Sequence, residues 1–414
     1  MRIFDLKQTK NCGNAVLSVS VESQRLGCRT LWFSLPEAYS HYLCTTRLDG
    51  FLVGLLYPAM QVGEDIHLEG CVSRRLLFNL NNYVVPLLMS FSPSCKPVKM
   101  TADQTSSERF EGSGVGTGFS GGVDSFCTIY DRYELETCPD HKINTLVFLN
   151  VGSHGPGQTE DELGLTQKKF YHRYQYLKAY PEEISLDFIP ENSNLHSFYI
   201  DANQNTHTIR SASALLILQN FFYRHYYASA GIDYRGVTDS ASWYRNIDIG
   251  AYCDSILLPL LSTESLDFLS DGVQYTRSEK ILRIINHEPV RRYLNVCVSE
   301  EMSHKNCSIC SKCCRTLMAL ESMDKLNVLE NLFDIEKYRT VARRQFMRQQ
   351  ILLKSKDPLA YDNVDLAKRN NVKLPHLIVC YAFWCKTQIK AFRKKLKKIF
   401  RKFLGFQDNI LEEC

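Results

Sequence analysis

The stretch Phe119–Phe126, with the sequence Phe-Ser-Gly-Gly-Val-Asp-Ser-Phe, constrains the fold of this chain more than any other. The small-residue run before it, residues 114–118, is short and apolar enough to be a buried strand. The residues after it suit the first turns of a helix. Consecutive glycines permit positive φ and let a ligand approach the backbone. A strand, a glycine turn and a helix start form an anion site, because free N–H groups and the helix dipole face the ligand.

The side chains of this turn add to the expected anion site. Ser120 and Ser125 supply hydroxyl donors, and Asp124 offers a carboxylate that could hold Mg²⁺ between phosphates. No lysine follows the glycines at the spacing of the GxxxxGK[ST] loop, so that motif is excluded. A tight turn that binds no ligand is the alternative. The expected nucleotide-binding residues of the turn are Ser120, Gly121, Gly122, Val123, Asp124 and Ser125.

The sequence Ser-Gly-Gly-x-Asp-Ser resembles the pyrophosphate loop, or PP-loop, of the N-type ATP pyrophosphatases. The resemblance implies that ATP is cleaved between its α and β phosphates. The loop would hold the leaving pyrophosphate while a substrate oxygen attacks the α-phosphorus and becomes adenylated. It also implies an α/β fold with a parallel sheet, of the adenine-nucleotide alpha hydrolase-like type, and the cofactors ATP and Mg²⁺.

Four cysteines near residue 300 form the second strong signal. Their spacing, C-x9-C-x2-C-x2-C, suits a closed tetrahedral zinc site with a structural role. Sixteen cysteines without the apolar core of a signal peptide predict reduced thiols in the cytoplasm, with metal ligands among them. An iron–sulfur cluster or redox-active thiols are the alternatives. Cys314 is adjacent to the last of the four and is expected to be spare. The predicted ligands are Cys297, Cys307, Cys310 and Cys313.

The two motifs together resemble the 7-cyano-7-deazaguanine synthases of the queuosine pathway, over about residues 113–323. In that family a carboxylated deazaguanine is adenylated, converted to an amide and then dehydrated to a nitrile. This chain departs from the family pattern at Asn150–His154 and at Thr208–Ser211. The resemblance therefore implies the ATP chemistry and the zinc site, whereas another carboxylate substrate fits equally well.

The segment around the two motifs has a β/α pattern. Asn144–Val151 is predicted to be a buried parallel strand, followed by a glycine-rich loop. Ligands of parallel sheets bind at the carboxyl ends of the strands, so His154 in this loop is predicted to contact ATP or substrate. A solvated loop histidine is the alternative.

Three basic residues are further candidates. Arg210 lies near the start of a helix predicted at Ile209–Tyr227, where a cation is unfavourable unless an anion is present. Arg277 and Lys280 lie three residues apart on another predicted helix and share a face that could meet phosphate or a carboxylate. Exposed helical cations are the alternative for all three. The candidate catalytic residues are Asp124, Ser125, Arg210 and Lys280.

The sequence predicts three regions: a β-rich accessory module at 1–110, the PP-loop domain with its zinc knuckle at 111–323, and a helical extension at 324–414. Short strands and a polar linker are expected in the first region, and further strands in the second. The predicted strands are Val16–Val21, Thr30–Phe33, Gly50–Leu56, Asp65–Val72, Glu183–Ile189 and Asp233–Ser240, with a helix at Leu76–Met89 and the linker at Thr101–Ser107.

The C-terminal segment Lys386–Lys402 contains nine Lys or Arg and no acidic residue. Without those nine, 40 basic residues stand against 45 acidic ones, so the positive net charge of the chain comes from this segment. Apolar residues recur in it at helical spacing. Such a helix suits an anionic membrane surface or RNA. A helix docked on the protein, with a solvated basic face, is the alternative.

The sequence thus predicts an ATP-dependent ligase-type enzyme that cleaves ATP to AMP and pyrophosphate. It would adenylate a carboxylate or amide of a small-molecule substrate for C–N bond or nitrile formation. A tRNA-thiolating PP-loop enzyme is the alternative, with Cys127 or Cys253 as the sulfur carrier. A non-catalytic nucleotide-binding interaction protein is a third possibility, and a homodimer is left open. We expect a cytoplasmic protein, either free or peripheral at the membrane.

Overall fold

The computed structural model describes residues 1–92, 94–155, 159–200, 206–230, 233–235, 253–297 and 305–386, together with residues 389 and 396. The strands are β1 Arg2–Asn11, β2 Asn14–Ser23, β3 Gly27–Pro36, β4 Ile66–Ser73, β5 Met100–Ser106, β6 Gly114–Gly118, β7 Thr145–Asn150, β8 Asp187–Ser193, β9 Phe222–Ala228 and β10 Asp267–Asp271. The helices are α1 Asp49–Val62, α2 Arg74–Asn79, α3 Val85–Phe91, α4 Val123–Ile129, α5 Glu160–Leu177, α6 Ala179–Glu183, α7 His207–Ile217, α8 Asp254–Leu260, α9 Arg277–Ile284, α10 Glu288–Tyr293, α11 Ser311–Ser322, α12 Ile335–Lys337, α13 Arg343–Leu353, α14 Pro358–Arg369 and α15 at 377–386.

Five parallel strands, β6 to β10, form the half of the sheet that carries the glycine turn. Their spatial order is β8-β7-β6-β9-β10. Successive strands β7 and β8 are added on one side of β6, and the chain then crosses back to add β9 and β10 on the other side. This is the order of doubly wound α/β folds, in which ligands bind where the direction reverses. The predicted α/β class with a mostly parallel sheet is therefore confirmed.

The N-terminal strands extend the same sheet. β3 pairs antiparallel with β8, through Phe33 with Ser193 and Ser34 with Asn192, and β2, β1, β4 and β5 follow outward. The described sheet therefore has ten strands, of which residues 1–110 contribute five; the same residues also form the helices α1, α2 and α3. Their core is continuous with that of the β8 and α7 region. The predicted boundaries at 110 and 323 stay predictions, although strand pairing crosses the first.

Helices cover both faces of the parallel half. Side chains alternate along β7, so Val147 packs on the face that carries α1, α7 and α8, whereas Leu146 and Phe148 pack on the face of α4, α5, α9 and α11. The helix that follows β6 and the helix that follows β9 thus lie on opposite faces. In doubly wound folds the ligand binds at the carboxyl ends of the two strands where the order reverses, here β6 and β9, and the glycine turn follows β6 directly.

Two predictions in the N-terminal region are wrong. Gly50–Leu56 is not a strand but part of α1, which is apolar all round because nearly its whole surface is buried. It packs closely on α7, since a Cβ at Gly50 would lie 2.7 Å from the carbonyl oxygen of Ser213. Thr101–Ser107 is not a linker: most of it forms β5, whose side chains are polar because β5 is the edge strand.

The helix predicted at Ile209–Tyr227 is also wrong in its second half. The helix α7 ends at Ile217, and the aromatic run after it turns back into the sheet as β9 between β6 and β10. Periodicity alone does not separate a helix from a strand in such an apolar run. The strand predicted at Glu183–Ile189 is displaced to Asp187–Ser193. The strand predicted at Asp233–Ser240 lies mostly outside the described residues.

The remaining predicted elements are confirmed. Val16–Val21 lies in β2, Thr30–Phe33 in β3 and Asp65–Val72 largely in β4. Residues 74–91 are helical throughout, with a π-helical turn at Leu80–Val84 between α2 and α3. Among the described helices, none is both long and apolar enough to cross a lipid bilayer.

Candidate functional site

The glycine turn lies at the carboxyl end of β6, at the point where the order of the sheet reverses. Gly121 has a φ of +74°, a backbone conformation that favours glycine. Gly122 is the N-cap of α4 and has a φ of −86°, which other residues also adopt. A Cβ at Gly121 would also lie 2.7 Å from Cδ2 of Leu177. Ser120 is exposed, whereas Ser125 is buried and its hydroxyl donates to the carbonyl of Gly122 at 3.0 Å.

Asp124, in the first turn of α4, is held by two cations from α9. Arg277 forms an ion pair with one carboxylate oxygen, and Lys280 Nζ lies 3.3 Å from the other. Burial alone would raise the pKa of Asp124, but the charges of Arg277 and Lys280 outweigh it and hold the pKa below its usual value. Arg277 and Lys280 thus both contact a carboxylate, which belongs to the turn itself, whereas their binding of a phosphate stays a prediction.

Lys280 contacts residues that follow two neighbouring strands, β6 and β9. Only 1% of its side chain is exposed, and Nζ also donates to the backbone oxygen of Ser229 at 2.7 Å and to the Ser229 hydroxyl at 2.8 Å. Ser229 directly follows β9, and Asp124 follows β6 by six residues. The ammonium group therefore lies between the carboxyl ends of β6 and β9, where doubly wound folds bind their ligands.

A further cation borders this group. Lys312, in the first turn of α11, is exposed, and its pKa is lowered by the surrounding protein and by the positive charge of Arg277. Arg277 and Lys280 together carry two positive charges against the one negative charge of Asp124. The net positive charge at the mouth of the turn suits a polyphosphate.

The four predicted metal ligands converge into one cluster. Their sulfur atoms all lie within 4.8 Å of one another, and the Cys297–Cys310 and Cys307–Cys313 sulfur pairs are each 4.0 Å apart. A tetrahedron with Zn–S bonds of about 2.3 Å places sulfur atoms about 3.8 Å apart, so these four thiols could hold a metal ion such as zinc.

Backbone groups support the same cluster. The N–H of Cys310 donates to the sulfur of Cys307 at 3.3 Å, and the N–H of Cys307 donates to the sulfur of Cys297 at 3.4 Å. Such bonds favour thiolates over thiols, because a negatively charged sulfur is the better acceptor. Cys314 is not part of the cluster: its thiol donates to the carbonyl of Ile309 at 3.3 Å. It is spare with respect to the metal, as predicted.

The segment that leads into the cysteine cluster contacts the glycine turn. The N–H of Asn295, two residues before Cys297, donates to the carbonyl of Gly121 at 2.7 Å. Arg173 of α5 donates to the carbonyls of Ser120 and Asn295, at 3.2 and 3.4 Å. The segment that leads into the cluster therefore fixes the backbone of the turn.

His154 lies at the end of β7, where its ring packs against Phe148 and Phe170. Its Nδ1 lies 3.2 Å from the side-chain oxygen of Asn150. Burial, followed by the positive charge of Arg173, lowers the pKa of His154 to about 4. The imidazole is thus neutral at neutral pH, and it can hydrogen-bond a ligand but cannot neutralise a phosphate. Its contact with ATP or substrate stays a prediction.

The side chain of Arg210 is buried and is not exposed at the start of α7. Its guanidinium donates to the carbonyl of Val151 at 2.7 Å and lies over the ring of Tyr199. It fixes the loop after β7, where a Cβ at Gly152 would lie only 2.0 Å from Arg210 Nη1. Among the described residues, no hydrogen bond or ion pair joins Arg210 to residues 120–125, so its catalytic role stays a prediction.

Several residues of this site were not predicted. Ser229, Asn295 and Arg173 come from three distant parts of the chain and come close to the turn or to Lys280 only in three dimensions. The Thr-x-x-Glu pattern at Thr276 marks the start of α9 in the sequence, and the capping box is present, but such a pattern does not indicate what the helix packs against.

Comparisons with known proteins give no relative for this chain. No family model matches it, and neither the curated proteins nor the solved structures contain a match. The resemblance to the PP-loop enzymes and to the deazaguanine synthases therefore rests on the residues of the two motifs alone.

One buried acid on β8 gives a pH-dependent prediction. Glu191 is 1% exposed, neither carboxylate oxygen has a hydrogen-bond partner among the described residues, and burial raises its pKa well above the usual value. Below about pH 4.5 the group is protonated in both states. Above it the unfolded chain ionises while the folded chain stays protonated, so folding loses up to about 1.4 kcal/mol per pH unit.

We therefore expect the unfolding free energy of the variant Glu191→Gln to increase relative to that of the native chain as the pH rises from about 5 to about 8, the range in which a buried carboxyl can stay protonated. Denaturant unfolding at several pH values measures the difference in unfolding free energy. A difference that is constant with pH would mean that Glu191 is ionised in the folded protein and paired.

Proposed function

We propose that this chain is an ATP-dependent enzyme that releases pyrophosphate and adenylates a carboxylate, or an amide, of a small molecule. The observation that carries the proposal is the meeting of Arg277 and Lys280 with the glycine turn at the point where the sheet order reverses. An adenylated carboxylate reacts readily with ammonia or an amine, so C–N bond formation is the reaction that follows. Nitrile formation would require a second activation of the resulting amide.

The residues of the turn have complementary roles in this proposal. The backbone at Gly121–Val123 and the exposed Ser120 hydroxyl bind the β and γ phosphates. Lys280 and Arg277 stabilise the negative charge that develops on the leaving pyrophosphate, and a buried ammonium does so more strongly than one in water. Asp124 orients both cations before the nucleotide binds.

Mg²⁺ fits this site through one carboxylate and the phosphates, which is its usual mode of binding to nucleotide enzymes. Asp124 is the only carboxylate bonded to the cations of the turn among the described residues, and it would exchange part of its contact with Arg277 for the metal ion. Mg²⁺ supplies charge neutralisation of the phosphates. The cysteine cluster has a separate, structural role, because four thiolates close the coordination sphere of a tetrahedral zinc ion.

The thiolase alternative is less well supported. A sulfur carrier needs an accessible thiolate. Cys127 is fully buried, and burial followed by the negative charge of Asp131 raises its pKa to about 12. Burial also raises the pKa of Cys253 to about 11. Neither thiol has the environment of a persulfide carrier.

Product analysis tests the proposal. ATP labelled at the α-phosphate is incubated with Mg²⁺, ammonia and one carboxylate at a time, beginning with 7-carboxy-7-deazaguanine. We expect labelled AMP and an equal amount of pyrophosphate, formed only when an accepted carboxylate is present. Formation of ADP and phosphate, or nucleotide binding without turnover across the substrate panel, would contradict it.

A further inference from the structure

The helix α15, at residues 377–386, presents an apolar surface to solvent. Cys380 is its one fully buried residue and packs against Ile351 and Val364. Isolated exposed apolar residues are common, but a contiguous group of them usually marks an interaction site. The exposed apolar side chains of this helix are Leu377 at 44%, Ile378 at 72%, Val379 at 46%, Tyr381 at 55% and Trp384 at 48%.

The exposed residues have an ordered arrangement. Ile378, Ala382 and Cys385 follow one another at spacings of four and three, so they lie on one side of the helix, opposite Cys380. Ile389 and Leu396 are also helical, exposed by 53% and 37%, and their positions continue the same spacing. The stripe therefore points away from the protein body.

Positive charge accompanies this stripe in the sequence. The segment from Lys386 to Lys402 contains nine Lys or Arg and no acidic residue, and most of it lies outside the described residues. Exposed apolar residues on a helix, together with many lysines and arginines nearby in the sequence, are the composition of helices that lie in the interface of anionic membranes.

We propose that α15 docks on an anionic lipid surface with its axis in the plane of the membrane, and that the positive charge of the sequence after it strengthens the attraction. The apolar side chains would enter the acyl boundary, and the lysines and arginines would meet the lipid phosphates. The inference is independent of the proposed enzymatic function.

Two other occupants fit the surface less well. A second copy of the chain would bring two strongly basic segments together, and like charges repel. RNA would neutralise the lysines and arginines, but it would leave the aliphatic side chains of Leu377 and Ile378 in water, since RNA contacts use phosphates and base stacking. Lipid satisfies both the charge and the aliphatic stripe.

Flotation of the full-length protein with vesicles tests the proposal. We expect binding to equimolar phosphatidylcholine and phosphatidylserine, and little binding to phosphatidylcholine alone. The variant Ile378→Ser should weaken this binding roughly tenfold, because a fully inserted side chain of this size loses its transfer free energy. Double replacement of Lys394 and Lys395 by Gln should weaken it to a similar extent and reduce its sensitivity to salt.

Val341→Ser is the matched control, because Val341 is 63% exposed and lies outside the stripe. It should bind vesicles like the native chain. Equal binding to neutral and anionic vesicles, or an Ile378→Ser variant that binds unchanged, would overturn the proposal. So would a concentration-dependent dimer that Ile378→Ser dissociates, or retention by RNA without retention by anionic vesicles.

Discussion

The variant Cys313→Ser is expected to bind no metal at the cysteine cluster, to unfold at a markedly lower temperature than the native chain and to release no pyrophosphate. Cys313 is the fully buried member of the four-thiol cluster, so the metal would keep three sulfur ligands and a site that solvent enters poorly. Binding of structural zinc contributes roughly 10–16 kcal/mol in small zinc domains. Native domains are stable by only about 5–15 kcal/mol, so losing even part of this contribution is severe.

The loss of activity follows from the contact between the turn and the segment that leads into the cluster. The segment that ends in Cys297 fixes the backbone of Gly121 through the N–H of Asn295, and Lys312 lies between two of the metal ligands. Disorder of the knuckle therefore displaces both the turn and one of its cations. Metal content by mass spectrometry, thermal unfolding and pyrophosphate release measure the three effects.

Cys314→Ser is the matched control for this experiment. Cys314 is adjacent in sequence and equally buried, but its thiol donates to a backbone carbonyl, which a serine hydroxyl can also do. We expect the control to retain one metal ion per chain and most of the thermal stability. Loss of metal from Cys314→Ser but not from Cys313→Ser would show that the metal ligands are assigned wrongly. Retention of metal in both variants would contradict the proposal that the metal binds at this cluster.

Short motifs with a local physical cause were predictable from the sequence. The turn at Gly121 follows from the φ that only glycine adopts easily, and the cysteine cluster follows from ligand spacing within one knuckle. The order of β6 to β8 is also local, since each strand is followed by its own helix. These features depend on neighbouring residues only.

Elements that depend on the tertiary environment were not predictable in the same way. The apolar run at Gly50–Leu56 is a helix because it is buried between the sheet and α7, and the aromatic run at 222–228 is a strand because β6 and β10 provide partners on both sides. Hydrophobic periodicity carries no information on those partners. The β3–β8 pairing, which joins the N-terminal strands to the sheet, likewise spans about 160 residues of sequence.

In the candidate site, too, the residue types were predictable from the sequence, whereas their partners depend on tertiary contacts. The spacing of Arg277 and Lys280 predicts a shared helix face, but their common partner Asp124 lies some 150 residues earlier in the chain. The charge of Arg210 suggests an anion site, whereas its partners are backbone carbonyls brought close by the loop after β7. Residue type and spacing indicate that a cation is available, and only the fold determines what it binds.

Lys280→Ala should reduce the rate of pyrophosphate release by roughly 10²–10³-fold, with a smaller effect on the affinity for ATP. Its ammonium lies between the strand ends where the leaving pyrophosphate is expected, and in that buried position its charge acts mainly on the transition state. Removing it also leaves the backbone oxygen of Ser229 without this donor, which costs about 1–3 kcal/mol of stability. Steady-state kinetics on the folded variant measures both kcat and KM.

Arg283→Ala separates this catalytic effect from the structural one. Arg283 belongs to the same helix, and its Nε lies 2.5 Å from Asp131, a carboxylate further along the helical stretch that begins with α4. The variant Arg283→Ala thus removes a cation from an ion pair between the same two helical segments, as Lys280→Ala does, but at a position farther from the turn. We expect it to be destabilised but to keep pyrophosphate release within about threefold of the native rate (order-of-magnitude expectation for a residue outside the reacting centre). If Arg283→Ala lost as much activity as Lys280→Ala, α9 would act only by holding α4 in place, and the charge of Lys280 would have no specific role in the reaction.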